Sequence, residues 1–338
     1  MRLSEFELIR RYFDTPDLAF ARRHVELGIG DDAAMVSVPE GKCLTLTMDV
    51  LVESVHFPTR APARFVAHRA LAANLSDLAA MGSEPLCFTL GLTLPAADEE
   101  WLEDFAAGLA SLAGRFDCPL VGGDVTHGPL NVVIQAHGIA DRDALIRRSG
   151  ARPGDRVLVT GCLGDAALAL PLLVANGEAE TADSGAEGDA DAHARALLAA
   201  YYQPEPRVAY AQEVAGLVSA GIDISDGLIG DLGHIIAASG VGARIDVERL
   251  PYSAAARATA DMDACRRAAL SGGDDYELCL TAPESALPAL QEKAAALGLA
   301  LTCIGEVVSG SAIALVDSDG EAVTFSGTAY QHFREGSV

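Results

Sequence analysis

Six short segments of this 338-residue chain set aspartate beside glycine or against an apolar run. They are Gly28-Ile-Gly-Asp-Asp32, Thr47-Met-Asp49, Asn74-Leu-Ser-Asp77, Gly122-Gly-Asp124, Asp223-Ile-Ser-Asp-Gly227 and Gly272-Gly-Asp-Asp-Tyr276. Any one of them reads as an ordinary turn, because Asp and Gly both populate turns. Three details point further. Asp77 falls in the last turn of an expected helix, where the negative end of the dipole disfavours a carboxylate. Asp49 ends an expected strand so apolar that its surroundings should be dry, and an unpaired carboxylate is costly there. Asp223 and Asp226 bracket Ser225 ahead of an amphipathic helix, and two acids exceed what one helix cap requires. A bound cation would offset each of these costs. A ligand set made only of oxygen suits Mg²⁺ rather than zinc.

The charge balance bears on the same question. With 24 basic and 48 acidic side chains, the formal net charge is -24. Nucleic-acid partners need a basic footprint, so they are excluded. Such a surface also repels phosphates unless cations bridge the two. Only Lys42 and Lys293 occur, and neither lies in a GxxxxGK[ST] loop or serves as a kinase strand lysine. If the chain handles phosphates, metals and a few arginines must supply the positive charge.

Elements that position these residues follow from periodicity. Residues 43–50 and 86–94 read as strands, with helices at 62–81 and 98–115. Further strands are expected near 118–122 and 130–139. The turn Gly150-Ala-Arg-Pro-Gly-Asp155 opens a second half. It mixes helices at 164–175, 193–202, 206–220, 227–239 and 284–298 with strands at 221–225 and 241–247. Asp317-Ser-Asp-Gly320 reads as the hairpin turn of two C-terminal strands. The boundary falls near 145–152, giving domains 1–148, for ATP and metal, and 149–338, both mixed α/β. Residues 176–192 are acidic and lack large apolar groups, which suits a solvated connection.

No apolar run reaches the roughly 18 residues of a membrane helix. The start, MRLSEFELIRRYFD, lacks a signal-peptide pattern. Seven dispersed cysteines without CxxC spacing read as reduced core thiols. A cytoplasmic protein without membrane or nucleic-acid partners is expected. Rival motifs fare poorly. Gly28-Ile-Gly is followed by an expected strand instead of the helix a dinucleotide fold needs. There is no HExxH, no GxSxG and no zinc spacing among the histidines, so His24, His68, His137, His193, His234 and His332 are assigned to surface or packing.

Taken in order, the segments resemble the thiamine-monophosphate kinase family. The matching stretches are Val25-ELGIGDDAA34, Thr47-Met-Asp49 with His56-Phe57, and Leu71-AANLSDLAAMGSEP85. They continue with Val121-GGDVTHGP129, Arg148-SGARPGD155, Gly221-IDISDGLIGDLGHI235, Ser271-GGDDYELC279 and Tyr330-QHF333. The resemblance implies the two-domain α/β fold of aminoimidazole ribonucleotide synthetase, with the N-terminal sheet forming a homodimer interface. It implies transfer of the γ-phosphoryl of ATP to thiamine monophosphate, the last step of thiamine diphosphate biosynthesis, with several Mg²⁺ ions. It further implies metal contacts at Asp32, Thr47, Met48, Asp49, Asp77, Asp124, Asp223 and Asp226, with Asp49, Asp124 and Asp226 as the expected catalytic set. Gly123, Asp124, Arg148 and Ser225 are implied ATP contacts, and His56, Asp274 and Tyr330 are implied to line the thiamine phosphate pocket. Two departures stand out: Met48 replaces the family's usual threonine, so only its backbone carbonyl could touch metal, and Asp274 replaces a frequent glutamate. Selenophosphate synthetase and the hydrogenase-maturation relative fit less well, lacking here an early reactive cysteine and a terminal one.

The implied chemistry suits the residues. A phosphate acceptor has a second pKa of about 6, so it is largely dianionic at neutral pH and needs no general base. The difficulty is bringing two anions into line while negative charge spreads over the transferring group.

Overall fold

The computed structural model describes residues 4–175 and 189–327. Tyr330 and most of the acidic stretch 176–192 lie outside them. The chain divides into two compact units between Ala144 and Leu145, with residues 79–82 grouped with the second and 173–175 with the first. Both are mixed α/β, as the sequence indicated.

The first unit opens with α1 (Glu5–Leu8), which widens into a π-helical turn over Ile9–Phe13. Two short strands, β1 (Val25–Leu27) and β2 (Met35–Val36), form a separate antiparallel ribbon. The main sheet comprises β3 (Lys42–Val52), β4 (Glu84–Leu94), β5 (Leu120–His127) and β6 (Asn131–Asp141), in the order β3-β6-β4-β5. Helices α2 (Ala63–Ala80) and α3 (Glu99–Arg115) lie between its strands in sequence. α3 begins where its acids suggest, with Asp98 accepting from the backbone N–H groups of Glu100 and Trp101. Its buried stripe is Leu102, Phe105, Leu109 and Leu112. At Gly108 the backbone of Arg64 in α2 approaches so closely that a Cβ would lie 2.7 Å from the Arg64 Cα. That glycine sets how near α2 and α3 pack.

Alternation assigns the two faces of this sheet. Leu46, Met48 and Val50 of β3 are exposed, whereas Leu51 of β3 and Ile134 and Ala136 of β6 are buried. Residues of adjacent strands paired in register share a face. β5 runs five residues beyond the expected 118–122 strand, because Gly122-Gly123 continue the ladder instead of turning.

The second unit holds a six-stranded sheet of β7 (Arg156–Thr160), β8 (Ala220–Ile224), β9 (Gly242–Asp246), β10 (Glu277–Ala282), β11 (Leu301–Val308) and β12 (Ile313–Val316). The order is β12-β9-β11-β7-β10-β8. Around it run α4 (Asp165–Ala175), α5 (Asp189–Tyr202), α6 (Val208–Val214), α7 (Leu228–Ser239), α8 (Ala254–Thr259), α9 (Met262–Ser271) and α10 (Leu287–Ala296). α6 stops well short of the expected 206–220. The turn Asp317–Gly320 follows β12 and does not join β11 to β12, which both pair with β9. Gly320 does close a turn on the Asp317 carbonyl, after which Ala322 bridges back to Val316. The core packs Val157, Val159, Ile222 and Ile224 of the sheet against Leu228, Leu232, Ile235 and Ile236 of α7.

Candidate active site

The structure sorts the aspartates into three local settings. The first is on β3 and α2. The Thr47 hydroxyl donates to Asp77 Oδ2. Asp49 lies inside β3 and not at its end, three residues before the last, and shares a face with buried Ile134. Burial pushes its carboxyl up to about 7, and the Asp77 charge adds to the shift. Two neighbouring acids are thus held where ionising the second is costly. A cation offsets both the burial and the repulsion, so the oxygen donors here fit Mg²⁺. The Met48 side chain points the other way and is 58% exposed.

The second setting is a cavity of about 940 Å³ in the same unit. Asp31 and Asp32 line one side, Gly122, Gly123 and Asp124 another, and Phe6, Ile9 and Arg10 of the N-terminal turn a third. A Cβ on Gly123 would run into the Leu90 carbonyl, so only glycine lets the strand pass there. Asp124 pairs with Gly91, which pairs with Val133, while Asp49 pairs with Ile134. Asp49 and Asp124 therefore face opposite sides of the sheet. His137, assigned to packing or surface, also lines this cavity; its Nδ1 stands 3.7 Å from the Cys87 thiol, and burial lowers its pKa.

The third setting is the β8–α7 connection in the second unit. Asp223 is buried in β8 at 4% exposure, and Ser225 and Asp226 follow. The Ser225 carbonyl accepts the Asp274 N–H at 2.8 Å, and the Ile224 carbonyl accepts that of Tyr276 at 2.8 Å. Asp274 and Tyr276 both sit in the left-handed region, at φ 63° and 51°, which non-glycine residues rarely adopt. The structure thus brings Ser225, Asp226 and Asp274 together through their backbones. Arg148 is exposed; the Ser239 hydroxyl donates to its carbonyl at 3.3 Å, and its charge acts on Asp231.

His56 belongs to the first unit, in a turn after β3. Its Nδ1 accepts from the Val52 N–H at 3.0 Å, so in the neutral ring Nε2 carries the proton. Tyr330 falls outside the described residues. Among the described residues, no three acidic, histidine or cysteine side chains stand close enough to chelate one ion. Both lysines are engaged elsewhere, Lys42 with Asp141 at 3.3 Å and Lys293 with Glu213 at 2.7 Å.

Two carboxyls of this region escaped the sequence reading. Asp231 is buried at 3% exposure in the first turn of α7, and burial raises it to about 7. Its signal was an acid among Leu228, Leu232 and Ile235. Asp275 accepts the Gly164 N–H at 2.8 Å, and burial raises its pKa well above the carboxylate range.

Comparison with known proteins agrees with this layout. The family models "AIR synthase related protein, N-terminal domain" and "AIR synthase related protein, C-terminal domain" match residues 30–140 and 152–318. The chain is 44% identical over 333 residues to the thiamine-monophosphate kinase of Escherichia coli (strain K12), covering 98% of this chain and 99% of that protein. The crystal structure of the thiamine-monophosphate kinase from Stenotrophomonas maltophilia K279a superposes with a TM-score of 0.85 at 41% identity, covering 96% of this chain and 99% of that one. A structure of AaThiL complexed with AMPPCP and TMP superposes with a TM-score of 0.73 at 30% identity, covering 98% and 99%. With both domains matched and full-length relatives this similar, the chain belongs to the thiamine-monophosphate kinase family.

Proposed function

We propose that this chain transfers the γ-phosphoryl group of ATP directly to thiamine monophosphate, giving thiamine diphosphate as the last step of that cofactor's synthesis. The observation that carries the reading is the desolvated Asp49 carboxyl beside the charge of Asp77, in a family whose members are named for this reaction. In the domain 1–148, Asp32, Thr47, the Met48 carbonyl, Asp49, Asp77 and Asp124 would hold Mg²⁺. Asp223 and Asp226 would do so in the domain 149–338. When bound, Mg²⁺ neutralises phosphate charge and orients both partners. Gly123, Asp124, Arg148 and Ser225 bind ATP, the first two from the wall of the cavity. Asp49, Asp124 and Asp226 are the residues on which turnover depends most. No side chain is needed as general base, since the acceptor is already ionised.

His56, Asp274 and Tyr330 bind thiamine monophosphate. With Nδ1 occupied by the Val52 N–H, the His56 Nε2–H serves as a donor to the acceptor phosphate. His56→Ala should raise the KM for thiamine monophosphate by about tenfold, the worth of one hydrogen bond to a charged group, with kcat less affected. An unchanged KM would remove His56 from the pocket.

The open face of the first sheet carries Leu46, Met48 and Val50, exposed at 58, 58 and 42%. An apolar stripe of this kind supports a homodimer joined through that sheet, which the mass in solution tests. Among the described residues no helix is long and apolar enough to cross a membrane, which supports work in the cytoplasm. The decisive test is a product assay with purified protein, MgATP and thiamine monophosphate. Thiamine diphosphate should form and should vanish with a chelator; no product with metal present would overturn the proposal.

A further inference from the structure

The loop between β8 and α7 carries Asp223, Ser225 and Asp226, and an unassigned carboxylate stands directly behind it. Asp231 Oδ2 accepts the backbone N–H groups of both Ser225 and Asp226, each at 3.0 Å. We propose that Asp231 is a positioning residue for phosphoryl transfer, whose single oxygen clamps the two peptide groups flanking Ser225 in the orientation that ligand binding needs. This inference rests on the function proposed above.

A helix cap is the plainer reading, and the geometry argues against it. A capping side chain sits ahead of a helix and satisfies the donors of the first turn. A capping box also reaches back, but from the third helical residue to the cap's own N–H; here the fourth residue of α7 reaches past Gly227 to two N–H groups that precede the cap. Gly227, at the cap position, offers no side chain. The opposite edge of the loop is tied as well, through the carbonyls of Ile224 and Ser225 and the N–H groups of Tyr276 and Asp274. Glycines allow that close approach. A Cβ on Gly227 would lie 2.7 Å from the Ser271 Cα, and one on Gly273 would lie 2.5 Å from the Ser225 carbonyl oxygen. Without Asp231 the carbonyl edge stays pinned while the half-buried N–H edge loses its acceptor, so the peptide groups on either side of Ser225 are the part that tilts.

The demand is for an acceptor oxygen in one place, not for a charge. Asp231→Asn offers a carbonyl oxygen there, whereas Asp231→Glu keeps the charge and moves it by a methylene. We expect Asn to stay within about fivefold of the wild-type kcat. Glu and Ala should lose roughly 100-fold, the scale of an ångström-sized misplacement, with the KM for thiamine monophosphate within about twofold. Hydrogen–deuterium exchange of the peptide 222–232, without nucleotide or metal, gives a second readout. The Ser225 and Asp226 amides should be protected in wild type and Asn and exchange faster in Glu and Ala. Activity retained in Glu and lost in Asn would overturn the proposal in favour of a charge role. Activity that merely follows melting temperature across the variants would also overturn it, as would identical exchange in all of them. If Ala does not fold, the Asn–Glu pair decides alone. Should the wild type make no thiamine diphosphate, the functional reading fails, while the exchange pattern still tests the clamp.

Discussion

Replacing Asp49 with asparagine should lower turnover about 1,000-fold or more and, in metal-free protein at pH 8, raise the melting temperature. Loss of a group that stabilises transition-state charge through metal typically costs several kcal/mol. The stability gain has a separate cause. An unfolded aspartate titrates near pKa ~3.9, whereas burial and Asp77 hold Asp49 at about 7. Below the unfolded value both states are protonated, and the group costs folding nothing. Between the two values the folded state keeps a proton that the unfolded state has lost, so stability falls as pH rises. Above the folded value the full cost is present, up to about 4 kcal/mol before allowing for partial solvation. Asparagine removes that dependence. Melting temperatures at pH 4, 6 and 8 with chelator should therefore diverge between wild type and variant as pH rises. Added Mg²⁺ should restore the wild type and leave the variant little changed. Turnover near wild type would rule out the metal assignment, and parallel pH curves would rule out the electrostatic account.

The largest stability loss is expected at Arg207→Ala, outside the proposed site. Arg207 grips the Glu277 carboxylate with two nitrogens, Nε at 2.7 Å from Oε2 and Nη2 on Oε1. The Thr160 hydroxyl donates to Oε2 at 2.6 Å and itself accepts the Leu278 N–H at 2.8 Å. The Glu277 side chain is only 7% exposed, so removing the arginine strands a charge inside the sheet. Breaking one side of such a pair costs roughly 3–5 kcal/mol. That corresponds to a fall of about 10 °C in a chain of this size. Arg207→Lys should fall between, because an ammonium cannot occupy both oxygens in the same planar fork. The paired change Arg207→Met with Glu277→Leu should lose less than Arg207→Ala alone. Urea unfolding that shows less than ~1 kcal/mol of loss for Arg207→Ala would mean the carboxylate is not dependent on its partner.

Much of this was legible from local pattern. α3 begins one residue after its capping Asp98 and ends at Arg115, because its apolar spacing and its capping signal coincide. The aspartate segments were visible as residues out of keeping with their surroundings, and Asp49 proved to be such a residue. What escaped depended on pairing or on tertiary contact. Gly122 and Gly123 look like a turn until β4 is laid beside them, when they become part of β5. That Asp49 and Asp124 occupy opposite faces is a property of register, and register belongs to strands far apart in sequence. α8 and α9 are short helices with brief apolar patterns, held by packing against their neighbours more than by their own periodicity. Asp231 was hidden by its company, an acid read as one polar position in an otherwise apolar helix face.

The two ion-paired lysines have a practical consequence. Among side chains, amine-directed reagents such as succinimidyl esters can attach only at Lys42 and Lys293, neither of which lines the cavity. A chip coated through those amines would leave the carboxylate clusters uncovered, whereas carbodiimide coupling would strike them. For the same reason lysine acetylation has no ammonium in the cavity to neutralise, and its effects would be confined to the surroundings of Lys42 and Lys293.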